Sequence, residues 1–417
     1  MVIKNRAVVL WLPLALAPAT AWGGYGAYTH GYGIKSLGMA GIGAVLAEDT
    51  FTLSINPANA VALGTRVDVG LDLEMPDAEA SIRGNLIGPD ETSESRARLF
   101  PVPQAGAAFP LGETLAMGFT GFFAGLGSDY TESPFTRFGG PERTTLALAQ
   151  AGLSSAIAWS PRPDQALGVS LNLSYQAIEV KGVDAFEAYS SDPEHFTDQG
   201  LDPCLGFGFT LGWRGRLTER LAGAVSFRSK SWTQRSSEYA GLLPDRGTLD
   251  LPAMMQGGLS WMPHPRLTIA AEYQRVLYAE QRATGNPGID AIREGRRLGE
   301  KDGPGFGWHN QDIGKIGFAW KATPVLHLRG GYSHGSQQMP REETLLGTLA
   351  PTFARDHFTV GATIAVSGGW EASGYVGYSP KRTIRGENSI PLIAGGGEAD
   401  MTNEQMFAGF SFGRKFD

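Results

Sequence analysis

The feature that most constrains this chain is a strict alternation of apolar residues with small or polar ones. The clearest stretch sets five apolar residues against five small or polar ones: Leu167, Val169, Leu171, Leu173 and Tyr175 against Gly168, Ser170, Asn172, Ser174 and Gln176. Successive side chains of a β-strand point to opposite faces, so this stretch predicts a strand with one apolar face. Two packed soluble sheets would need apolar residues on their facing sides, whereas a membrane barrel keeps a polar interior.

The alternation recurs and defines fourteen candidate strands. They lie near residues 65–75, 96–109, 114–127, 144–159, 166–180, 204–213, 220–230, 249–261, 266–278, 311–320, 325–334, 356–366, 370–379 and 405–416. Single-chain bacterial outer-membrane barrels have an even number of antiparallel strands, and closure leaves no strand edge unpaired. We therefore predict an all-β fold, a transmembrane antiparallel β-barrel of fourteen strands.

The connections between these strands are alternately long and short. The long segments lie around residues 76–95, 128–143, 181–203, 231–248, 279–310, 335–355 and 380–404. The turns between them are tight and rich in Pro and Gly, which favour turn conformations. Long loops at one end and short turns at the other are typical of outer-membrane barrels, with the long loops outside the cell.

The first residues predict export. Lys4 and Arg6 precede an apolar run, and Ala19-Thr20-Ala21 is a small-residue cleavage pattern, so residues 1–21 are expected to be a signal peptide. The chain carries 35 Lys and Arg against 42 Asp and Glu, a balance that does not favour nucleic acid as a partner. The single cysteine, Cys204, cannot form an internal disulfide. A closed hydrogen-bonded barrel supplies stability without one.

Residues 22–64 do not alternate, and we predict that they form an N-terminal hatch inside the barrel of residues 65–417. Within the hatch, Asn56-Pro57-Ala58 begins a segment that ends at Gly64. Asn is a favoured N-cap, Pro is favoured at the first helical position, and Gly commonly ends a helix. The segment therefore predicts a short helix capped by Asn56, and this element is the candidate for holding and gating the hatch.

Three hatch motifs carry a resemblance to a known family: GIKSLGMAG at residues 33–41, then AED at 47–49, then NPA at 56–58. Together they resemble the hatch of the FadL/TodX family of outer-membrane transporters of long-chain fatty acids and hydrophobic aromatic compounds. Gly330-Gly331-Tyr332 and residues 356–361 are similar to late strands of that family. The resemblance covers both ends of the mature chain, and the middle agrees in pattern alone.

The resemblance implies a hatch inside a fourteen-stranded barrel, ligand capture among the extracellular loops, and passage to a deeper apolar site without an energy source. It also implies sideways exit into the membrane through a gap where the third strand bends inward. Glycine lacks the β-carbon that restricts the backbone, which makes four glycines of that strand candidates for the bend: Gly118, Gly121, Gly125 and Gly127. The alternative is that these glycines leave room for the hatch.

Five aromatic residues are candidate ligand contacts, because apolar ligands are held by aromatic and aliphatic walls: Phe122, Phe123, Phe186, Tyr189 and Phe196. Some of them would instead belong to the aromatic girdle at the membrane interface. Four basic residues predicted to face the lumen are candidates for attracting a carboxylate or for a structural role: Arg228, Lys230, Lys315 and Arg329. The pattern does not separate a fatty acid from a neutral aromatic hydrocarbon.

No catalytic or metal site is predicted. Gly331-Tyr332-Ser333-His334-Gly335 matches the Gly-x-Ser-x-Gly pattern of a serine hydrolase, but that elbow joins a strand to a helix, whereas here a strand leads into a loop. The histidines show no pair at metal-ligand spacing, and no cofactor is expected.

The sequence thus predicts an outer-membrane channel of a Gram-negative cell for the uptake of hydrophobic small molecules, and not an enzyme. The alternative is an open diffusion porin for polar solutes, which the insert before the first strand disfavours. The expected partners are the hydrophobic ligand, outer-membrane lipid and lipopolysaccharide, and the barrel assembly machinery, which reads aromatic C-terminal strands such as the one ending at Phe416. The barrel is expected to be a monomer.

Overall fold

The computed structural model describes residues 24–416, so the predicted signal peptide and its cleavage site lie outside the described residues. Fourteen long strands form one antiparallel sheet. In chain order they are β1 (Thr65–Arg83), β2 (Phe100–Pro110), β3 (Leu115–Tyr130), β4 (Thr144–Arg162), β5 (Gln165–Lys181), β6 (Asp202–Arg216), β7 (Leu221–Arg228), β8 (Met254–His264), β9 (Leu267–Val276), β10 (Gln311–Lys321), β11 (Leu326–Gly335), β12 (Asp356–Ala365), β13 (Trp370–Ile384) and β14 (Glu398–Phe416). Two short strands, Glu91–Glu94 and Trp232–Thr233, add to it from the loops.

The sheet closes into a barrel because β1 and β14 pair along their whole lengths, from Thr65 opposite Phe416 to Arg83 opposite Glu398. Every other pairing among the fourteen long strands joins neighbours in this chain order. Closure satisfies backbone N–H and C=O groups between strands, which a wall in contact with lipid requires. The predicted fourteen-stranded barrel is confirmed.

The two faces of each strand follow the alternation in the sequence. On β5 the apolar series Leu167 to Tyr175 is exposed on the outer surface, and Ser170, Asn172 and Gln176 are buried in the interior. The same division holds on β12, where Phe358 and Val360 point outward and His357 and Thr359 point inward. An apolar outside and a polar inside are the reverse of a soluble protein and suit a barrel surrounded by lipid.

The two ends of the barrel differ as predicted. One end carries short turns, such as residues 111–114 and 163–164, and the other carries long loops with short helical turns. These turns are Thr136–Phe138, Asp184–Tyr189, Pro193–His195, Pro244–Gly247, Tyr278–Glu280, Arg282–Gly285, Ile289–Arg293, Arg341–Glu343, Thr344–Gly347 and Leu392–Ala394. Among residues 24–416, no helix has the length and apolar character needed to cross a membrane.

The described hatch residues, 24–64, are almost all buried and pack against inward-facing side chains of the strands. They contain the helical segments Ile34–Leu37, Thr50–Ser54, Pro57–Asn59 and Ala60–Leu63. Met39, Ile42, Val45 and Ile55 of the hatch form one apolar cluster with Phe122 of β3. The lumen in this part of the barrel is therefore filled by the chain's own N-terminal segment.

Candidate functional site

Asn56 joins the hatch to the barrel wall. Its side-chain oxygen accepts a hydrogen bond from the Ala58 backbone N–H at 3.0 Å, and this is the N-cap of the short helical segment. Its Nδ2 donates to the Ala44 carbonyl at 3.0 Å and to the Trp213 carbonyl on β6 at 3.1 Å. One buried amide therefore caps the helix, ties two parts of the hatch together and anchors both to a strand.

Glycines of the wall let this helix come close. A β-carbon at Gly168 of β5 would lie 2.3 Å from the Ala58 backbone nitrogen, and one at Gly212 of β6 would lie 1.9 Å from the Asn56 side-chain oxygen. Real β-carbons do not come that near, so any larger residue at either position would push the helix away. The small residues on the inward faces of β5 and β6 thus make room for Asn56-Pro57-Ala58.

Ion pairs attach the hatch to the wall near the short-turn end of the barrel. Lys35 of the helix Ile34–Leu37 pairs with Glu371 of β13, and Arg66 of β1 pairs with both Glu371 and Asp68. Asp68 in turn accepts from the backbone and hydroxyl of Thr50 at 2.9 and 2.8 Å. Removing one member of a buried network leaves the others unpaired in a poorly solvated place, which is costly.

A second ion pair lies beside the first. Arg329 of β11 binds Glu48 of the hatch through two nitrogens, at 3.0 and 3.1 Å. Burial opposes ionisation of Glu48, yet the adjacent Arg329 lowers the pKa of this carboxyl to about 2. Asp49 next to it has neither carboxylate oxygen hydrogen-bonded, and burial together with nearby Asp68 raises the pKa of Asp49 to about 7.

A third set of contacts holds the middle of the hatch. Lys315 of β10 donates to the Gly41 carbonyl at 2.9 Å, and Glu272 of β9 accepts from the Ala44 N–H at 2.8 Å. The rings of His30 and His357 stack with centroids 5.2 Å apart, one from the hatch and one from β12. The hatch is therefore held by ion pairs, by caps and by ring stacking, along most of its length.

The wall itself is interrupted between β2 and β3. These strands pair only from Pro110 opposite Ala116 to Gly106 opposite Thr120, whereas β3 pairs with β4 through to Tyr130. Beyond the interruption the wall is joined again where the Arg96 N–H donates to the Asp129 carbonyl at 2.7 Å. From Gly121 to Ser128, β3 has no ladder partner on its β2 side among the described residues.

The hatch takes the place of the missing partner. The Gly125 N–H donates to the Ala27 carbonyl at 2.8 Å, and the Tyr32 hydroxyl donates to the Phe123 carbonyl at 2.9 Å. Tyr28 forms an isolated β-bridge with Ala124. Buried backbone groups without a partner on a neighbouring strand need other hydrogen-bond partners. β3 therefore bonds to the hatch where it separates from β2.

Two prolines of β2, Pro101 and Pro103, lie in the part of that strand which pairs with β1 alone. Proline has no N–H to donate and is confined to strand edges, so these residues favour an unpaired edge toward β3. The space beside them is filled by an apolar cluster of Ala97, Phe100, Val102 and Phe123. The interruption was predicted from the glycines of the third strand and not from these prolines, although prolines within a strand indicate an unpaired edge.

The four glycines of the third strand occupy different settings. A β-carbon at Gly118 would lie 2.4 Å from the Leu53 side chain of the hatch, so this glycine makes room for the hatch. Gly121 is the first residue after the ladder with β2 ends, and Gly125 donates to the hatch. At Gly127 a β-carbon would lie 2.0 Å from the Leu146 carbonyl of β4.

The five candidate aromatic contacts do not line one groove. Phe122 lies in the apolar cluster shared with the hatch, and Phe123 lies in the cluster at the interruption. Phe186 and Phe196 pack in the core beneath the long loops, whereas Tyr189 is partly exposed on a loop. Of the five, Phe122 and Phe123 are the two on the strand beside the interrupted wall.

The four basic residues also separate into groups. Lys315 and Arg329 are engaged by the hatch, as described above, and Lys230 pairs with Asp250 at 2.5 Å. Arg228 lies over the Phe122 ring at 4.1 Å and has a buried Nη1 without a hydrogen-bond partner among the described residues. Among the four, Arg228 is therefore the one with a buried nitrogen that no described residue pairs.

Ser333 and His334 do not form a catalytic pair. Ser333 is buried inside the barrel and accepts from the Tyr25 hydroxyl at 2.6 Å. His334 points to the other face of β11, where its Nδ1 lies 2.7 Å from Asp356. Consecutive residues of a strand face opposite sides, so His334 cannot reach the Ser333 hydroxyl.

These features define the class: a closed antiparallel membrane-type barrel with an N-terminal segment in its lumen and an interrupted wall between its second and third strands. No family model matches the chain, and no curated protein sequence matches it significantly. Solved structures do match over nearly the whole chain. The toluene transporter TodX of Pseudomonas putida superposes with a TM-score of 0.70 at 16% identity, over 93% of this chain and 99% of that one.

A Pseudomonas aeruginosa FadL homologue gives a TM-score of 0.70 at 15% identity, over 94% of this chain and 100% of its own. The toluene transporter TbuX of Ralstonia pickettii gives 0.65 at 15% identity, over 93% and 99%. At these identities the likeness establishes the fold, and the chain has the fold of the FadL/TodX transporters. The predicted family resemblance is thereby confirmed at the level of structure.

Proposed function

We propose that this protein is an outer-membrane channel for the passive uptake of hydrophobic small molecules, namely long-chain fatty acids or aromatic hydrocarbons. In this proposal the hatch gates the lumen, and the ligand leaves sideways into the membrane between β2 and β3. The observation that carries the proposal is the interrupted wall, because its rim is apolar and the hatch bonds to β3 where the described part of β2 does not. Transporters of toluene with the same fold support the ligand class.

The filled lumen argues against the porin alternative. An open diffusion pore for polar solutes needs a continuous water-filled passage, and the described hatch residues are buried side by side across the lumen. Anchoring by Asn56, and elsewhere by the adjacent ion pairs of Lys35 and Glu48, supports a segment that is folded into the barrel and is not a loose leader.

Sideways exit follows from the physics of the ligand. Each methylene kept out of water is worth about 0.8 kcal/mol, so a ligand that passes from an apolar cluster directly into lipid avoids a large barrier. Val102 and Phe123 lie together in the cluster at the interruption and are well placed to form such a path. A ligand released into water at the short-turn end of the barrel would lose this favourable free energy.

A reversible cross-link across the interruption tests this route. Val102→Cys and Phe123→Cys would be combined with Cys204→Ser, so that a disulfide or a short dithiol-reactive linker bridges the two strands. Ala107 and Phe119 are already opposite each other in the paired part, so the pair Ala107→Cys and Phe119→Cys is the matched control.

Uptake of labelled oleate and of labelled toluene by cells carrying each variant would be measured before and after reduction. We expect the cross-link at 102 and 123 to abolish uptake of the transported ligand, reduction to restore it, and the control cross-link to have no effect. Full uptake through the cross-linked wall would show that the ligand leaves by another route.

A further inference from the structure

A concave apolar groove crosses the outer surface of the barrel. Its volume is about 860 Å³, and it extends from Ile269 on β9 across β10 to β14 as far as Met75 on β1. Gly330 of β11 forms part of its floor, beneath the ring of Phe318. Phe358 and Tyr332, whose ring centroids are 5.0 Å apart, stand beside it. The groove lies within the apolar outer face of the wall.

The groove is wide. It spans seven neighbouring strands, and six spacings of about 4.8 Å make a width of about 29 Å along the wall. A depression of this width accommodates several acyl chains side by side. A lipid with only two chains would leave part of the groove uncovered.

Basic side chains border the groove at the long-loop end. Asp356 accepts from the Tyr332 hydroxyl and contacts His334 Nδ1, both at 2.7 Å, and Arg382 lies 3.3 Å from its second oxygen. Arg355 places Nη2 3.2 Å from His334 Nε2. Two guanidinium groups thus lie near a single carboxylate, which leaves this part of the rim with excess positive charge.

The neighbouring part of the rim has no excess of positive charge. Lys381 pairs with Glu79 at 2.9 Å, and Glu404, which accepts from the Tyr378 hydroxyl at 2.5 Å, adds a second carboxylate. The positive excess is therefore confined to β11, β12 and Arg382, directly above the groove. The side chain of Arg382 is 47% exposed, so a ligand can reach it.

We propose that this groove and rim form a binding site for one lipid A-type glycolipid of the outer leaflet, with its acyl chains in the groove and a phosphate on Arg355 and Arg382. Guanidinium groups bind phosphate through paired, charge-assisted hydrogen bonds. The long-loop end faces the outside of the cell in the proposed orientation, which places the rim at the level of the glycolipid phosphates. The inference rests on the proposed outer-membrane location and not on the proposed uptake activity.

Native mass spectrometry of the detergent-purified barrel with added lipid A tests the site. The wild-type protein is expected to retain one lipid A per barrel, and Arg355→Gln with Arg382→Gln to weaken that binding at least tenfold. Gly330→Val fills the floor of the groove and is expected to weaken it as well. Arg235→Gln removes an exposed loop arginine that pairs with Asp245, and this control should bind like the wild type.

The results of this experiment test the binding site and the identity of its lipid separately. All variants would first be checked for the gel shift between unboiled and boiled protein, which reports a closed barrel. Equal retention of lipid A by the wild type and the double variant would overturn the site. Equal retention of phosphatidylglycerol and lipid A would overturn the assignment to the glycolipid. Neither outcome depends on uptake, so a failure of the lipid-binding proposal can be told apart from a failure of the transport proposal.

Discussion

Asn56→Ala is the sharpest test of how the hatch is held. The substitution removes the N-cap, which is worth about 1 kcal/mol in typical helices. It also leaves the buried Ala44 carbonyl and the partly buried Trp213 carbonyl without this donor, at about 1 kcal/mol each. Together these losses destabilise the docked hatch by about 3 kcal/mol. Because about 1.4 kcal/mol corresponds to a tenfold change in an equilibrium constant, the released hatch should become roughly a hundred times more populated.

Hydrogen exchange followed by mass spectrometry measures this population directly. Peptides covering residues 34–63 are expected to exchange about a hundredfold faster in Asn56→Ala, where exchange follows the population of the open state. Strand peptides should keep their protection, because the ladder does not depend on Asn56. Conductance of a small polar ion in planar bilayers should rise in parallel, since a released hatch opens the lumen.

Asn172→Ala is the matched control. Asn172 is also a buried asparagine, but it bonds to Ser154, Ser170 and Thr210 on the strands and not to the hatch. Its loss should destabilise the barrel slightly and leave hatch exchange unchanged. Equal hatch protection in the wild type and in Asn56→Ala, with unchanged conductance, would refute the view that this side chain anchors the hatch.

Three further predictions concern the same assembly. Burial and nearby Asp68 raise the pKa of Asp49 to about 7 in the docked hatch, whereas a released Asp titrates near about 3.9. Docking should therefore weaken as the pH rises from about 4 to 7, and Asp49→Asn should show slower hatch exchange than the wild type at pH 8 and equal exchange at pH 4. Glu48→Gln should loosen the hatch by breaking its pair with Arg329, and a double-mutant cycle with Arg329→Gln should recover part of the loss, which purely additive effects would contradict. The closed barrel should migrate differently before and after boiling on a denaturing gel, and identical mobility in a detergent-free monomer would argue against it.

Much of the fold could be predicted because barrel strands are encoded locally. The alternation around Leu167 to Tyr175 assigns both faces of β5 without any knowledge of its neighbours, and the Pro- and Gly-rich turns fix where each hairpin reverses. The cap at Asn56 was also readable, since an N-cap and its helix lie within a few residues of each other.

The site was less predictable because its contacts join residues far apart in the chain. Nothing near Lys35 indicates that its partner is Glu371, or that Tyr32 reaches the carbonyl of Phe123. The interruption depends on two strands at once, so glycines of β3 alone could not locate it. Pro101 and Pro103 would have indicated that the interruption lies beside β2, because a strand with missing N–H donors favours an unpaired edge.

The central proposal is uptake of hydrophobic molecules through the wall. The most direct measurement compares cells that lack other channels of this kind with and without this protein, using labelled oleate, labelled toluene and a labelled small sugar in parallel. We predict that the protein raises the entry of at least one hydrophobic compound several-fold and leaves the entry of the sugar unchanged. Faster entry of the sugar, with no change for either hydrophobic compound, would contradict the proposal and favour a porin.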